Sequence, residues 1–219
     1  MSTIDFSNLT DDSLALMNNK DLILMVKTLY EENNKLKMQS DKKIAELYEE
    51  RLTNLEREVN KDKQYARRDS IEIVGIDEST PDEEIENNVI KILKSAQAKV
   101  GSKLPGALEI HAAHRKNKKG VVIVKFTNRK FAEAAIKNRD NIREIDHLKD
   151  VYINQSLCPE FSFLSYALRQ AKRSNKIAST KFKHGVPYAK LNASDGFVEI
   201  SHEADLVKFG IDVPTRRNK

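Results

Sequence analysis

Lysines and arginines gathered in four short clusters are the residues whose types and spacing can do chemistry here, and that chemistry is contact with a polyanion. Arg67 and Arg68 are adjacent; Arg115, Lys116, Lys118 and Lys119 crowd one turn; Arg169, Lys172 and Arg173 share helical spacing; Lys181, Lys183 and Lys190 interleave with Phe182 and Tyr188. Cations at this density hold phosphates without reading sequence, so weak sequence preference and steep salt dependence are expected. Phe182 and Tyr188 offer faces to unpaired bases, or serve equally well as core residues. The run Lys116–Lys119 reads either as a phosphate contact or as a solvated hairpin turn.

Catalytic chemistry finds no comparable constellation. The chain has no P-loop and no G-x-S-x-G, and Cys158 is its only cysteine. His111, His114, His147, His184 and His202 form neither H-E-x-x-H nor an i, i+4 pair. Glu83 and Glu84 follow Pro81, where acids belong at a helix start. The expectation is therefore no enzyme, no metal, no cofactor and no small-molecule substrate. No stretch approaches 18 consecutive apolar residues and Met1–Phe6 lacks the pattern of a secretory signal, so no membrane partner and an intracellular location are expected.

The elements that must position these cations divide by charge and by breakers. Residues 1–66 carry 10 Lys and Arg against 13 Asp and Glu, residues 67–154 carry 17 against 14, and residues 155–219 carry 11 against 6. All seven glycines and all five prolines lie at or after Gly75, which leaves the acidic first third free of helix breakers. Residues 20–66 are strong helix formers, enough for one helix of roughly 70 Å at about 1.5 Å per residue. Leu22, Val26, Leu29, Asn33 and Leu36 mark a heptad stripe. The frame shifts near Asp41–Lys43, and Tyr48, Leu52, Leu55 and Val59 resume it, with Asp62 and Ala66 continuing the series. Such a narrow stripe covers another helix rather than a globular core, so the segment reads as a coiled coil for self-association, with Asn33 fixing register; a solvated single helix or a disordered acidic tail is the competing reading. Residues 1–19, with the cap-like Thr10-Asp11-Asp12, read as a flexible arm.

From Arg67 the period changes to two. Ile71 and Ile73 mark a strand, and Pro81 opens a helix with Ile85, Val89, Ile92, Leu93 and Ala96 inside, ending near Gly101. Strands follow at Leu108–Arg115 and Val121–Phe126, then a helix capped by Thr127 or Asn128 with Phe131, Ala132, Ala135 and Ile136 inside, then a strand at Val151–Ile153. The order β-α-β-β-α-β over 67–154 is the ferredoxin-like plan of RNA-recognition motifs. It is an atypical one: Lys119, Gly120, Val124 and Phe126 fit the third-strand pattern, but Val121, Ile123 and Glu72 stand where base-stacking rings would be. Residues 155–210 read as a small basic α+β module, with an amphipathic helix from Pro159 and strands at Ser179–Lys183, Tyr188–Leu191 and Phe197–Ile200; residues 211–219 form a basic tail.

A coiled coil, an Arg-Arg junction, an atypical RNA-recognition motif and a small basic module, in that order, resemble the first-open-reading-frame protein of LINE-type retrotransposons. The similarity lies in Ala66-Arg67-Arg68-Asp69-Ser70-Ile71-Glu72-Ile73, in Val122–Phe126 with Thr127 and Arg129, in Ile153–Glu160, in Arg169–Arg173 and in Val186-Pro187-Tyr188-Ala189-Lys190-Leu191. The last module also resembles the C-terminal domain of baculovirus few-polyhedra proteins. Together these motifs cover roughly Ala66–Phe209. The resemblance implies a trimeric binder of single-stranded RNA, acting as a strand-annealing chaperone in a cytoplasmic ribonucleoprotein with the nucleus as a second site, and without catalysis. Carried over by position, Arg67, Arg68, Arg129, Arg169, Lys172, Arg173 and Lys190 would touch RNA. Single-stranded DNA stays open as the ligand. The competing expectation is a structural scaffold whose coiled coil and ferredoxin-like domain bind protein.

Overall fold

The structure, a computed structural model, describes residues 18–100, 104–116 and 120–216. The chain divides into two compact units, Met1–Asn54 and Leu55–Lys219. Most of the expected arm, with Thr10–Asp12, lies outside the described residues, as do Lys118, Lys119 and the last three residues of the tail.

In the first unit the described residues build helix α1, which runs Asn19–Tyr65 and so continues into the second unit. Asn18 starts it: Oδ1 accepts from the Lys20 and Asp21 N–H groups at 3.0 and 3.1 Å, satisfying donors the first turn leaves open. The helix passes Asp41–Lys43 without interruption. Leu22 is half-buried; Val26, Leu29, Asn33, Leu36, Tyr48 and Leu52 are exposed, Leu36 at 65%. Ile44, exposed four residues before Tyr48, keeps an apolar side chain on that face close to the frame shift.

The second unit is mixed helix and antiparallel sheet. Strands β1 (Ser70–Val74), β2 (Ile110–Arg115), β3 (Val121–Phe126) and β4 (Tyr152–Gln155) pair antiparallel in the order β2-β3-β1-β4. Helix α2 (Ile85–Val100) follows β1; α3 (Arg129–Lys137) and the short α4 (Arg139–Arg143) follow β3. Strand alternation turns Ile71, Ile73, Val122, Val124, Phe126 and Ile153 onto Ile85, Val89, Leu93, Ala96, Ala132, Ala135 and Ile142. Asn128, one of the two expected caps, accepts from Lys130 N–H at 2.9 Å. Strand β2 starts at Ile110 rather than Leu108. Ala107–Glu109 form a 3-10 turn whose Glu109 carboxylate accepts from Gly106 N–H at 2.7 Å, and Leu108 is left in solvent.

The C-terminal module has α5 (Pro159–Arg173), a sheet ordered β5-β6-β7 (Ser179–Lys183, Val186–Lys190, Val198–Glu199) and α6 (Glu203–Lys208). Its core is Phe161, Leu164, Ala167, Leu168, Ala171, Ala189, Ile200 and Leu206. Strand β6 begins two residues before the expected Tyr188, taking in Pro187 although it is the central strand. The missing N–H falls on the side of β7, which is already ending there: Ile200 N–H still reaches the Pro187 carbonyl at 2.9 Å, and the ladder to β5 is intact. Helix α6 has no counterpart among the expected elements. His202 Nδ1 caps it, accepting from Ala204 N–H, and the Asp205 carboxylate accepts from Ser201 and His202 N–H at 2.9 Å each.

The last turns of α1 dock on this module through a polar face. Gln64 is 1% exposed: Nε2 donates to the Ser156 carbonyl at 3.0 Å and Oε1 accepts from Cys158 N–H at 2.8 Å. Asn60 is buried with its carbonyl facing Cys158 Sγ at 3.8 Å, and Arg57, Lys61 and Glu56 pair with Asp205, Glu199 and His202. Leu55 and Val59 stay about half exposed. Among the described residues, no helix is long and apolar enough to cross a membrane.

Candidate nucleic-acid interface

Helix α1 ends in a turn that puts Arg67 and Arg68 directly before β1. Arg68 lies over the Tyr65 ring, 3.7 Å from its centroid, which orients the guanidinium without neutralising it. Beyond it opens a cleft of about 920 Å³ between the four-stranded sheet with α3 and α4 on one side, and α5 with β5 on the other. Arg68, Lys137, Arg139, Arg169 and Lys181 line it, with His184 at the β5–β6 turn; Glu72, Glu133 and Asp140 are its acids. Polar Ser162, Ser165, Asn154 and Gln155 fill much of the remaining wall.

Arg169 projects from α5 with Nη1 donating to Ser165 Oγ one turn back at 3.1 Å, so its other donors face solvent. Lys181 stands 3.9 Å from the Phe197 centroid. Lys172 and Arg173 are exposed on the same helix as Arg169 but do not line the cleft. The pairing Lys181↔Tyr188, Lys183↔Val186 and Ser179↔Lys190 puts Lys181, Lys183, Tyr188 and Lys190 on one face of the small sheet, with Phe182 and Pro187 on the other. Tyr188 donates its hydroxyl to Glu199 Oε2 at 2.9 Å; burial, and then that carboxylate, raise its pKa. For Glu199, burial works to raise the pKa. Hydrogen bonds from Lys61, Tyr188 and Ser201, with the Lys61 charge, outweigh it and hold the carboxylate below its ordinary value.

In the described part of the basic turn, Arg115 and Lys116 both hold partners within the chain. Arg115 pairs with Val122 and therefore points to the helix side of the sheet. There Nη2 donates to the carbonyls of Asp77 at 2.7 Å and Thr80 at 2.9 Å, and Nε lies 3.5 Å from Asp82 Oδ1. With its side chain 12% exposed, Arg115 clamps the β1–α2 loop. Lys116 Nζ sits 2.5 Å from Glu72 Oε1, which neutralises much of its charge. Arg129 is exposed, 4.0 Å from Glu133, and Arg67 is half-buried.

Lys137, Arg139 and His184 join the cleft without having been singled out in the sequence. A lysine ending a helix reads as a partner of the helix dipole, and His184-Gly185 reads as a turn alone. Among the described residues, no three His, Cys, Asp or Glu side chains gather as metal ligands. No protein-family model matches the chain, and no curated protein matches it.

Proposed function

We propose that this protein is a self-associating binder of single-stranded nucleic acid, RNA in the first place, that coats its ligand and helps strands anneal within a retrotransposon-type ribonucleoprotein. The cleft carries the reading: five lysines and arginines converge there, from α3, α4, α5, β5 and the turn before β1, against three acids, the arrangement that tracks a phosphate backbone. The β-α-β-β-α-β order with sheet order β2-β3-β1-β4 supports a ferredoxin-like, atypical RNA-recognition-motif domain beside it. Self-association is supported by how α1 is used. At about 100° per residue, Leu55 and Val59 lie roughly 150° around the helix from Arg57, Asn60 and Gln64. The chain buries the polar face against itself and leaves the apolar one in water, a surface that another helix covers. The layout's similarity to LINE first-open-reading-frame proteins supports three copies.

Anisotropy of labelled oligo(U) with the full-length protein tests this reading. Log affinity should fall linearly with log salt, and Arg68→Ala with Arg169→Ala should weaken all sequences alike while reducing the slope by about 0.7 per lost contact. Absence of binding at about 50 mM salt overturns the reading. One observation favours a scaffold instead: half-buried Val74, Val121 and Ile123 form an apolar patch on the outward sheet face, where the Tyr152 ring beside Val74 already carries Arg143, a surface suited to protein. Failure to bind oligo(U) with retained self-association is the outcome that selects it.

A further inference from the structure

Phe182 is the one phenyl, phenol or indole ring that lines the cleft among the described residues, and it is 42% exposed. The exposure is not what its strand position calls for. Phe182 pairs with Pro187, and alternation puts Pro187 on the same face as Ala189, which is fully buried in the core of the module. Phe182 thus points to the packed side of the sheet, yet it is absent from that core and reaches past it to the cleft wall. Keeping much of a phenyl ring in water forgoes burial that the same residue would gain a short distance inward.

Three other exposed rings of the second unit are already occupied. Arg68 covers Tyr65, Arg143 lies 4.5 Å from the Tyr152 centroid, and Lys181 covers Phe197. No cation stacks on Phe182 among the described residues, and Tyr166, also exposed, does not line the cleft. The ring shares the cleft with His184 at the following turn, with Arg169 on α5 and with Arg68; Lys181 also lines it, from the opposite face of the strand. A flat apolar face among cations fits one unit of an unpaired strand, with phosphates on the cations and the base on the ring. A duplex has no base face to offer, and an inorganic polyanion has none at all.

Resting on the reading of the cleft as a nucleic-acid site, we infer that Phe182 is its stacking platform and makes the cleft select unpaired nucleobases rather than negative charge alone. Lys181, Arg169 and Arg68 set the general affinity for phosphate. Phe182 sets the difference between a strand with bases and one without.

The full-length protein is titrated with four ligands of equal charge: oligo(U), oligo(dU), an abasic oligodeoxynucleotide and a duplex. Wild type should hold oligo(U) and oligo(dU) more tightly than the abasic strand and the duplex. Phe182→Leu should weaken both base-bearing strands by about 5- to 150-fold, the range of one aromatic stack. It should leave the abasic strand, the duplex and the salt slope unchanged, because no counterion contact is lost. Phe182→Trp should restore binding, and 2-aminopurine placed in the strand should change its emission on wild type and Phe182→Trp but not on Phe182→Leu. Loss in Phe182→Leu without rescue by Phe182→Trp overturns the stacking role, as does equal binding of all four ligands by wild type. If Phe182→Leu matches wild type on oligo(U), the platform is refuted while the binding function stands. If wild type binds none of the four, both fall.

Discussion

Gln64→Ala tests the attachment of α1 to the C-terminal module. The amide is almost fully buried and makes two hydrogen bonds to backbone, giving one to the Ser156 carbonyl and taking one from Cys158 N–H. Truncation leaves both backbone groups buried without that partner, at about 1–3 kcal/mol each, against a gain of a few tenths from alanine's better helix propensity. The net loss is about 2–5 kcal/mol, a large part of the roughly 5–15 kcal/mol that holds a typical domain. Two assays read it. Urea unfolding of the full chain at fixed concentration should show a lower midpoint with an unchanged slope. Cys158, the only thiol, is fully buried, and burial raises its pKa; it should stay inert towards an aromatic disulfide reagent in wild type and react at least about tenfold faster once α1 loosens. Gly185 supplies a third arm. It has φ +84, and a Cβ there would stand 2.5 Å from Gln64 Nε2. Gly185→Ala therefore displaces the same amide and adds about 1–2 kcal/mol of left-handed strain. Because both substitutions break one contact, their losses should overlap by more than about 1 kcal/mol in the double variant. A Gln64→Ala loss below about 1 kcal/mol, an unreactive Cys158 and strict additivity with Gly185→Ala would together refute the docking argument.

Glu199 should add a pH-dependent stability increment. Its folded pKa lies below the ordinary 4.5, so the unfolded chain binds more protons in that interval; the increment is complete above about pH 4.5 and is lost as pH falls through the folded value. Glu199→Gln should flatten that acid limb in urea midpoints taken from pH 6 downward, and an unchanged limb refutes the assignment. Leu55→Lys with Val59→Lys should dissociate the protein in light scattering while circular dichroism stays that of wild type, since both side chains are already about half exposed; retained association removes the coiled-coil reading. Arg115→Ala should cost about 0.5–1.5 kcal/mol by removing its hydrogen bonds to the exposed Asp77 and part-buried Thr80 carbonyls, with no change in oligo(U) affinity or salt slope. A reduced slope would put Arg115 back among the phosphate contacts.

What could be read from the sequence depended on which interaction wrote the pattern. Apolar burial has a period, so Ile71, Ile73, Val122 and Val124 mark their strands and Ile85, Val89, Leu93 and Ala96 mark their helix, and all eight are in the core. Arg68, Arg169 and Lys181 were visible for a similar reason: charge leaves a compositional trace, and all three reach the cleft. Side chains that serve backbone leave none. Arg57, Asn60 and Gln64 recur at spacings of three and four and look like any solvated helix face, until Ser156 and Cys158, more than ninety residues on, turn that face into a docking surface. Arg115 is the mirror case, a cation that composition assigns to a ligand and that strand register turns inward onto two carbonyls. His202 escapes for a further reason, since a histidine ring nitrogen can do what a serine or aspartate usually does at a helix start. Basic clusters therefore pointed to the cleft proposed here for a polyanion, but register and backbone demand decided which cations in them remain available. The same rule identifies Phe182, whose strand position directs it inward and whose exposure places it in the cleft.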